Sequence, residues 1–484
     1  MIIFVLLLGI PLCAAILSHI LPSSKQRMLE VLAVTAAGLE LAVVLIASRS
    51  VMATGTYAAG QAFFIDGLGL LLLLIITSIG LAASIYSVGY LREEQKKNII
   101  DFTRFRTYFR LFHAFILAMI VAVVTTSPII MWISIEATTL STAFLVSFYN
   151  KASASEAAWK YLIINSVGLL LALLGTLMFV SIAGQSGLGT EYLSWQAFWA
   201  ASTDLQPLAL KVAFIFVLVG FGTKVGFVPL HTWRPDSYAK APVPVAALLS
   251  GVLLNVSWLA ILRFKLVTDL AIGPVFSQKL LLFFGVISII VAAGILLVQK
   301  NYKRMLAYSS TEHAGIIALG FGFGGIGMAA SLAHMLYHAL VKSLLFFAAG
   351  NIFLKYSSTK IQNVRGVLKA LPVTGVIFFI GILVLVGMPP FGIFFTKFAI
   401  LASGIKDHAW VVIGVGVALA IVFVGLIRHT ASMLFGAVPE GVAQGEGNAW
   451  TLVPVFFVLA LLVLASFALP QSFIQLVLQS VSST

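Results

Sequence analysis

The chain carries near its middle the stretch Phe221-Gly-Thr-Lys-Val-Gly-Phe-Val-Pro-Leu-His-Thr-Trp-Arg-Pro-Asp-Ser-Tyr-Ala-Lys-Ala-Pro-Val-Pro244. It places Lys224 inside an apolar segment, and Pro229 interrupts that segment five residues later. A buried ammonium is costly in hydrocarbon, and such residues usually mark an ion or substrate path. Proline removes a backbone donor, which is tolerated at membrane depth only where the freed groups face protein or water. The stretch therefore predicts a broken helix beside an ion path.

The composition is that of a polytopic membrane protein. Of 484 residues, 61% are hydrophobic and 9% are charged, whereas about one quarter are charged in an ordinary soluble domain. The one cysteine, Cys13, excludes disulfides, iron–sulfur clusters and a cysteine-based zinc site within the chain. The net charge of +13 comes from basic residues in short loops between apolar segments, so no nucleic-acid partner is expected.

Apolar segments of about 20 residues, each long enough to cross a bilayer, recur along the chain. The predicted fold is therefore an all-α polytopic membrane protein with about fourteen transmembrane helices. The first segment is interpreted as a retained span, because it is long and no charged residue precedes it. The predicted spans lie near 2–22, 28–48, 65–90, 108–125, 127–149, 155–183, 208–230, 241–263, 277–299, 304–322, 325–354, 371–390 (continuing to about 404), 409–432 and 449–478.

A second stretch, Val386-Gly-Met-Pro-Pro-Phe-Gly-Ile-Phe-Phe-Thr-Lys397, again combines glycine and proline with a Thr-Lys pair. Lys397 follows Lys224 at nearly the same distance along the chain as Glu312 follows Glu136. This shared offset predicts two inverted five-helix repeats, each with a broken helix, as in many transporters; a chance coincidence of the two Thr-Lys pairs is the alternative. The predicted division is 1–105 (helices 1–3), 106–265 (helices 4–8), 266–432 (helices 9–13) and 433–484 (helix 14).

Basic residues in the loops predict the orientation. One side collects seventeen of them, and with an even number of spans both termini lie on the other side, which has five. The sequence therefore predicts that both termini face away from the cytoplasm. The five are Arg49, Lys211, Lys265, Lys279 and Lys406; the seventeen are Lys25, Arg27, Arg92, Lys96, Lys97, Arg104, Arg106, Lys151, Arg234, Lys240, Lys300, Lys303, Arg304, Lys355, Lys360, Arg365 and Lys369.

Glu136 lies in the middle of an apolar segment, with no other charge near it in the sequence. A carboxylate alone in hydrocarbon takes up a proton, whereas one near Lys224 stays ionised and favours the charged lysine. The sequence predicts that Glu136 and Lys224 form such a pair, through which an approaching partner changes how firmly the lysine holds its proton. An ion pair that only anchors two helices is the alternative.

Three polar residues, His334, His338 and Lys342, follow one another at four-residue intervals, so they share one stripe of a helix. His-x-x-x-His could suggest zinc, but the catalytic motif has glutamate after the first histidine and this chain has Met335. A polar path that exchanges protons between imidazoles and water is the favoured interpretation, and no metal is expected. Arg263, by contrast, lies toward the end of a span, where a long side chain can reach the membrane interface.

Three motifs resemble one known family. They are Lys224-Val-Gly-Phe-Val-Pro-Leu-His-Thr-Trp-Arg-Pro-Asp236, the run Ala-Pro-Val-Pro-Val-Ala-Ala-Leu-Leu-Ser-Gly from Ala241, and Asn301-Tyr-Lys-Arg-Met-Leu-Ala-Tyr-Ser-Ser-Thr-Glu-His313. The chain is thereby similar, from about Asp66 to Arg428, to the antiporter-like subunits of respiratory complex I, Mrp cation/proton antiporters and membrane-bound nickel–iron hydrogenases. Leu253-Leu-Asn-Val and Gly387-Met-Pro-Pro-Phe-Gly-Ile-Phe are most similar to the component F type of the hydrogenase-4/formate hydrogenlyase group.

The resemblance implies a role for each residue singled out above. Glu136 matches the fifth-helix glutamate of the family, Lys224 the seventh-helix lysine and Lys397 the charged residue of the broken twelfth helix, while His334, His338 and Lys342 match the eleventh-helix path of some members. The departure is Asn255, where the nearest complex I subunits carry a connecting lysine in the eighth helix. Because an asparagine holds no charge, a link across the middle must use water or other side chains.

The function implied is that of a proton-translocating membrane subunit of a redox-driven complex, with no cofactor of its own. Partner subunits are expected to form the rest of a membrane arm and a peripheral redox arm that holds nickel–iron and iron–sulfur centres. The implied location is a bacterial or archaeal cytoplasmic membrane. The alternatives are a secondary Na⁺/H⁺ antiporter subunit of the Mrp type, an inactive assembly scaffold, and the membrane subunit of an inorganic-carbon uptake complex.

Overall fold

The computed structural model describes residues 1–184, 194–202 and 205–482. This part of the chain is predominantly helical, with one antiparallel hairpin formed by β1 (Tyr57–Ala59) and β2 (Phe63–Ile65). A π-helical turn, Leu249–Leu253, joins α10 to α11. The helices are α1 (Ile2–Ile20), α2 (Gln26–Thr54), α3 (Gly67–Lys96), α4 (Phe102–Val124), α5 (Pro128–Val146), α6 (Ala152–Gly184), α7 (Trp195–Ala200), α8 (Pro207–Val225), α9 (Trp233–Lys240), α10 (Val243–Leu248), α11 (Leu254–Ile272), α12 (Val275–Leu297), α13 (Tyr302–Phe323), α14 (Ile326–Tyr356), α15 (Val367–Ala370), α16 (Pro372–Val386), α17 (Gly392–Gly404), α18 (Ala409–Leu434), α19 (Ala449–Ala468) and α20 (Gln471–Gln479).

Twelve helices in the described part of the chain are long and apolar enough to cross a membrane. The α13 helix has 22 residues but carries several charged side chains, and α16 and α17, with 15 and 13 residues, are each too short to cross alone. The last predicted span, 449–478, is divided at Pro470 into α19 and α20. The all-α membrane fold is therefore confirmed, whereas the count of fourteen spans is not.

The molecule has an apolar exterior and a polar interior. Large apolar side chains on the outer helices are exposed, among them Ile46, Leu170, Phe398 and Phe467. Several charged side chains, in contrast, are buried inside the helix bundle, among them Lys224, Lys342 and Lys397. This distribution suits a lipid bilayer. Apolar side chains contact the lipid tails without cost, whereas polar groups must find hydrogen-bond partners within the protein.

The first break ends α8 at Val225. Gly226 follows in the left-handed conformation (φ 81°), and the amide of Phe227 donates to the carbonyl oxygen of Gly222 over 3.0 Å. Glycine adopts this helix-ending geometry without a clash from a Cβ atom. Pro229 comes three residues after the glycine and has no N–H with which to continue the helix. The chain therefore crosses the interior without helical structure before α9 begins.

The second break repeats this geometry. Gly387 (φ 94°) ends α16, the amide of Met388 donates to the carbonyl oxygen of Leu383 over 2.9 Å, and Pro390 follows three residues after the glycine. The predicted broken helices are thus both present, and each is the fourth membrane element of its predicted five-helix unit.

The two lysines do not hold the same position relative to their breaks. When the breaks are matched at their glycines, Gly226 and Gly387, the two lysines do not coincide. Lys224 lies before its break, on α8, whereas Lys397 lies after its break, on α17. The two Thr-Lys pairs therefore lie on opposite sides of their breaks, and their equivalence stays a prediction. Inversion of the repeats stays a prediction, and its proposed boundaries after 105, 265 and 432 fall inside α4, α11 and α18.

Three basic residues that were assigned to loops are buried. Arg234 is 0% exposed, Lys303 lies over the ring of Phe353, and Lys265 forms an ion pair with Asp269. Removing them leaves fifteen basic residues on one side of the predicted topology and four on the other. The asymmetry therefore survives the correction.

Arg263 also lies inside the protein instead of reaching the interface. Its guanidinium pairs with Asp66, with one N–O distance of 2.8 Å, and Asp66 in addition accepts from the amide of Gly69 and so caps α3. The pair ties the start of α3 to α11.

Candidate functional site

Lys224 lies in the last turn of α8 and is buried. Its ammonium donates to the hydroxyls of Thr139 on α5 and Tyr161 on α6, each over 2.7 Å, and lies 4.8 Å from the centroid of the Tyr161 ring. The position near the carboxyl end of a helix also favours a positive charge. Neutral groups thus hold this ammonium, which makes it an unusual buried cation.

Glu136 is half-buried on α5, one helical turn before Thr139. Among the described residues it forms no ion pair with Lys224, whose ammonium donates to Thr139 and Tyr161. Glu136 instead accepts a hydrogen bond from Ser166 on α6 over 2.9 Å, and its charge acts on Lys224 only through space. The prediction of a direct pair is corrected accordingly.

Lys397 has different partners. Its ammonium forms a buried ion pair with Glu312 on α13, over 3.1 Å, and also donates to the carbonyl oxygens of Leu385 (3.1 Å) and Val386 (3.5 Å). Those carbonyls are the last ones of α16 and have no partner within their own helix. Lys397 therefore spans the second break from α17 to the end of α16.

Lys342 on α14 is buried against α13. Its ammonium donates to the hydroxyl of Ser309 over 2.8 Å and to the carbonyl oxygen of Leu306. One helical turn before it, His338 has no hydrogen-bond partner for either ring nitrogen among the described residues, although its ring centroid lies 5.1 Å from that of His313. The structure thus places both predicted residues beside α13.

The third predicted residue of α14, His334, is the middle member of a hydrogen-bonded chain. Its Nε2 atom is hydrogen-bonded to His313 Nδ1 over 2.8 Å, and its Nδ1 atom to the hydroxyl of Thr396 over 2.7 Å. Because both ring nitrogens are engaged, this imidazole can accept a proton on one side and release one on the other. Thr396 precedes Lys397 in the chain, so the path along α14 bends toward the second break.

Sequence reasoning missed two members of this cluster, Glu312 and His313. His313 Nε2 lies 3.2 Å from Glu312 Oε2, and the second oxygen of Glu312 pairs with Lys397. Both residues stand in the quoted motif that ends at His313, and the spacing of Glu312 from Glu136, so close to that of the two lysines, was a further signal. We call Glu312, His313, His334, Thr396 and Lys397 the histidine cluster.

Two buried residues lie between Lys224 and the histidine cluster. Asn255, on α11, donates from its amide to the carbonyl oxygens of Gly251 (3.0 Å) and Met335 (3.2 Å). Arg234, on α9, donates to the carbonyl oxygen of Val225 and, over 3.3 Å, to the hydroxyl of Thr311. The neutral Asn255 and the charged Arg234 therefore both contact the helices of the cluster.

A metal site does not emerge from the described residues, which contain no group of three or more His, Cys, Asp or Glu side chains arranged to hold an ion. The titratable side chains that the structure brings together are groups that can exchange protons. They are two lysines in broken helices, a third lysine on α14, a buried glutamate and three histidines.

Broken helices and buried ionisable side chains at membrane depth are features of transport proteins. Residues 125–423 match the family model described as "NADH:quinone oxidoreductase/Mrp antiporter, TM", and residues 51–105 match "NADH-Ubiquinone oxidoreductase (complex I), chain 5 N-terminus". The chain therefore belongs to the NADH:quinone oxidoreductase/Mrp antiporter family. It is 35% identical over 384 residues to the hydrogenase-4 component F homolog of Methylacidiphilum infernorum, which covers 79% of this chain and 80% of that protein.

Solved structures confirm the fold. A chain of the archaeal membrane-bound sulfane sulfur reductase superposes with a TM-score of 0.85 at 24% identity, covering 98% of this chain and 96% of that one. A chain of respiratory complex I from Thermus thermophilus gives a TM-score of 0.76 at 23% identity, with 96% of each covered. The protein is an antiporter-like membrane subunit of the complex I and hydrogenase type, as the sequence motifs predicted.

Proposed function

We propose that this subunit translocates protons across a bacterial or archaeal cytoplasmic membrane as part of a redox-driven complex. The path uses Glu136, Lys224, His334, His338, Lys342 and Lys397, to which we add Glu312 and His313. The observation that carries the proposal is the buried, hydrogen-bonded chain from His313 through His334 to Thr396, beside the Glu312–Lys397 pair. A purely structural core has no need for so many titratable groups in contact.

Each group has a role that its partners suggest. Lys224 takes up a proton from the cytoplasmic side, since its hydroxyl partners stabilise the ammonium without fixing it by a full negative charge. Lys342 and the three imidazoles pass charge along the face between α13 and α14. Lys397, beside the open carbonyls of α16, is the group that releases a proton toward the outside.

The neutral Asn255 does not abolish coupling between the two halves of the path, because contacts along α13 connect them. Lys342 bonds to α13 at Ser309, and Arg234 reaches the same helix at Thr311. In this proposal α13 connects the two halves of the subunit, a role that a lysine of the eighth helix has in the nearest complex I subunits.

Partner subunits supply the driving reaction in this proposal. The similarity to a hydrogenase-4 component F homolog supports a membrane arm attached to a redox arm with nickel–iron and iron–sulfur centres. A second candidate is a subunit of an Mrp-type antiporter that carries H⁺ and Na⁺, which the name of the matching family supports. The proposed orientation, with both termini outside, rests on the asymmetry of basic residues; of the termini, Thr484 lies outside the described residues.

The test is Lys224→Met in the complex assembled with its native partners and reconstituted into vesicles with a pH-sensitive dye. We expect proton uptake per electron transferred to fall to the level of the passive leak, while electron transfer continues more slowly or uncoupled. Lys211→Met, at an exposed position of the same helix, is the matched control and should behave as the unmodified chain. Normal proton uptake by the Lys224→Met complex, at unchanged turnover, would make Lys224 a structural residue and end this proposal.

A further inference from the structure

Arg234 is a buried cation that the proposed path does not yet explain. It is 0% exposed, and among the described residues it forms no ion pair with a carboxylate. Within this described part its Nε atom has no hydrogen-bond partner, and the guanidinium lies near the rings of Trp233 (5.6 Å) and Tyr238 (5.9 Å). A permanent charge with so little compensation is costly to bury, so its retention calls for a specific role.

The two breaks show what that role is. In the second break, Lys397 of α17 donates to the carbonyl of Val386, the last residue of α16. In the first, Arg234 of α9 donates to the carbonyl of Val225, the last residue of α8. Val225 and Val386 hold the same place in their breaks, since each directly precedes the glycine that ends its helix. Each break is thus closed by a cation from its second half-helix.

The same two cations also meet on one helix. Arg234 donates to Thr311, and Lys397 pairs with Glu312, the next residue of α13. Arg234 is therefore the counterpart of Lys397 in the first break, with one chemical difference. A lysine can release its proton, whereas an arginine in a protein does not.

We propose that Arg234 is a positioning residue of the proton path: a fixed positive charge that closes the first break and separates Lys224 from the histidine cluster. A proton cannot pass through a group that never gives one up. Lys224 and the histidine cluster then influence each other across Arg234 by electrostatic repulsion, and a proton gained on one side weakens proton binding on the other. This inference rests on the proposed function.

The surroundings of the guanidinium agree with this role. Among the described residues, the titratable groups near it include His231, Tyr238, His338 and Lys342, and it pairs with no carboxylate. The positive charge of Arg234 is therefore not cancelled by a carboxylate of this part of the chain, and its field extends toward Lys342 and His338 on α14. Gly226 allows the guanidinium to lie against the end of α8, since a Cβ there would be 2.4 Å from Arg234 Cζ.

The experiment compares Arg234→Gln and Arg234→Lys in the assembled, reconstituted complex. Glutamine keeps a donor for the Val225 carbonyl but removes the charge, and we expect about a tenfold fall in protons taken up per electron. Lysine carries the charge only while it holds its proton, and burial makes that proton easier to lose. The Arg234→Lys ratio should therefore approach the normal value at acid pH and fall as the pH rises, more steeply than in the unmodified complex. Arg365→Gln, at an exposed position between α14 and α15, is the control.

The outcomes separate this inference from the proposal on which it rests. If Arg234→Gln keeps the normal ratio while Lys224→Met loses it, the inference fails and the proposed function stands. If both variants keep the ratio, the proposed function itself fails. Should Arg234→Gln not assemble, the pH profile of Arg234→Lys decides: a profile identical to that of the unmodified complex would reduce Arg234 to a helix-capping residue.

Discussion

Lys224 and Lys397 belong to equivalent breaks, yet one ammonium is held by neutral hydroxyls and the other by a carboxylate. Thr139 and Tyr161 bind Lys224, whereas Glu312 and two carbonyls at the end of α16 bind Lys397. An ion pair in a water-poor interior stabilises the charged form far more than a neutral hydrogen bond does. The two breaks therefore differ in function. The first suits a lysine that gains and loses its proton readily, whereas the second suits a lysine that keeps its proton as long as Glu312 stays ionised beside it.

The largest expected effect comes from breaking the ion pair of the second break. Glu312→Gln leaves the Lys397 ammonium buried without its counter-charge, and loss of one member of a buried pair costs about 3–5 kcal/mol. We expect a clearly lower thermal unfolding midpoint, followed by tryptophan fluorescence in detergent.

The matched control is Glu136→Gln, because Glu136 is half-buried and forms no ion pair with a lysine of the described residues; its midpoint should change little. The double variant Glu312→Gln/Lys397→Met removes both charges and should regain much of the lost stability, since coupled residues are not additive. Equal midpoints for Glu312→Gln and the unmodified protein would show that the pair contributes no stability.

The second test makes the first break resemble the second. The Thr139 hydroxyl accepts a hydrogen bond from Lys224, as Glu312 does from Lys397, so Thr139→Asp places a carboxylate beside the Lys224 ammonium. A charge-assisted bond is worth about 1.5–3 kcal/mol against about 1 for a neutral one, and we expect proton translocation to slow by about tenfold because Lys224 stays charged.

Thr138→Asp is the control for this substitution. Thr138 is the preceding residue of α5, is equally buried, and its hydroxyl donates to the carbonyl oxygen of Ile135 in its own helix. If both aspartates slow translocation to the same extent, the effect comes from burying an acid in α5 and does not involve Lys224.

Sequence alone was informative where a charge stood isolated in an apolar segment. Lys224, Lys397 and Glu136 were found in that way, and the prolines and glycines beside the two lysines predicted both broken helices. Whether Glu136 contacts Lys224 directly could not be predicted from the sequence, because the two residues lie on different helices. The hydroxyls of Thr139 and Tyr161, which bind the ammonium, are uncharged and so do not stand out in an apolar segment.

The residues that were missed stand in polar surroundings. Glu312 and His313 follow two basic residues and a Ser-Ser-Thr run, so their charge does not stand out. Arg234 lies between Thr232-Trp233 and Pro235-Asp236, a composition typical of a loop. The short α9 helix nevertheless folds back into the protein and buries Arg234, which only the three-dimensional arrangement reveals.

The smallest expected effect concerns the link between the histidine cluster and the second break. Thr396→Val keeps the shape of the side chain but removes the hydroxyl that is hydrogen-bonded to His334 over 2.7 Å. One such bond is worth about 1 kcal/mol, so we expect proton translocation to slow by about fivefold with little change in electron transfer. Thr430→Val is the control, because Thr430 is equally inaccessible on α18 and its hydroxyl has no hydrogen-bond partner among the described residues. Reconstituted vesicles with a pH-sensitive dye report both rates. If Thr396→Val matches Thr430→Val, protons do not travel from His334 toward Lys397 through this hydroxyl, and the second break would receive its proton from Glu312 alone.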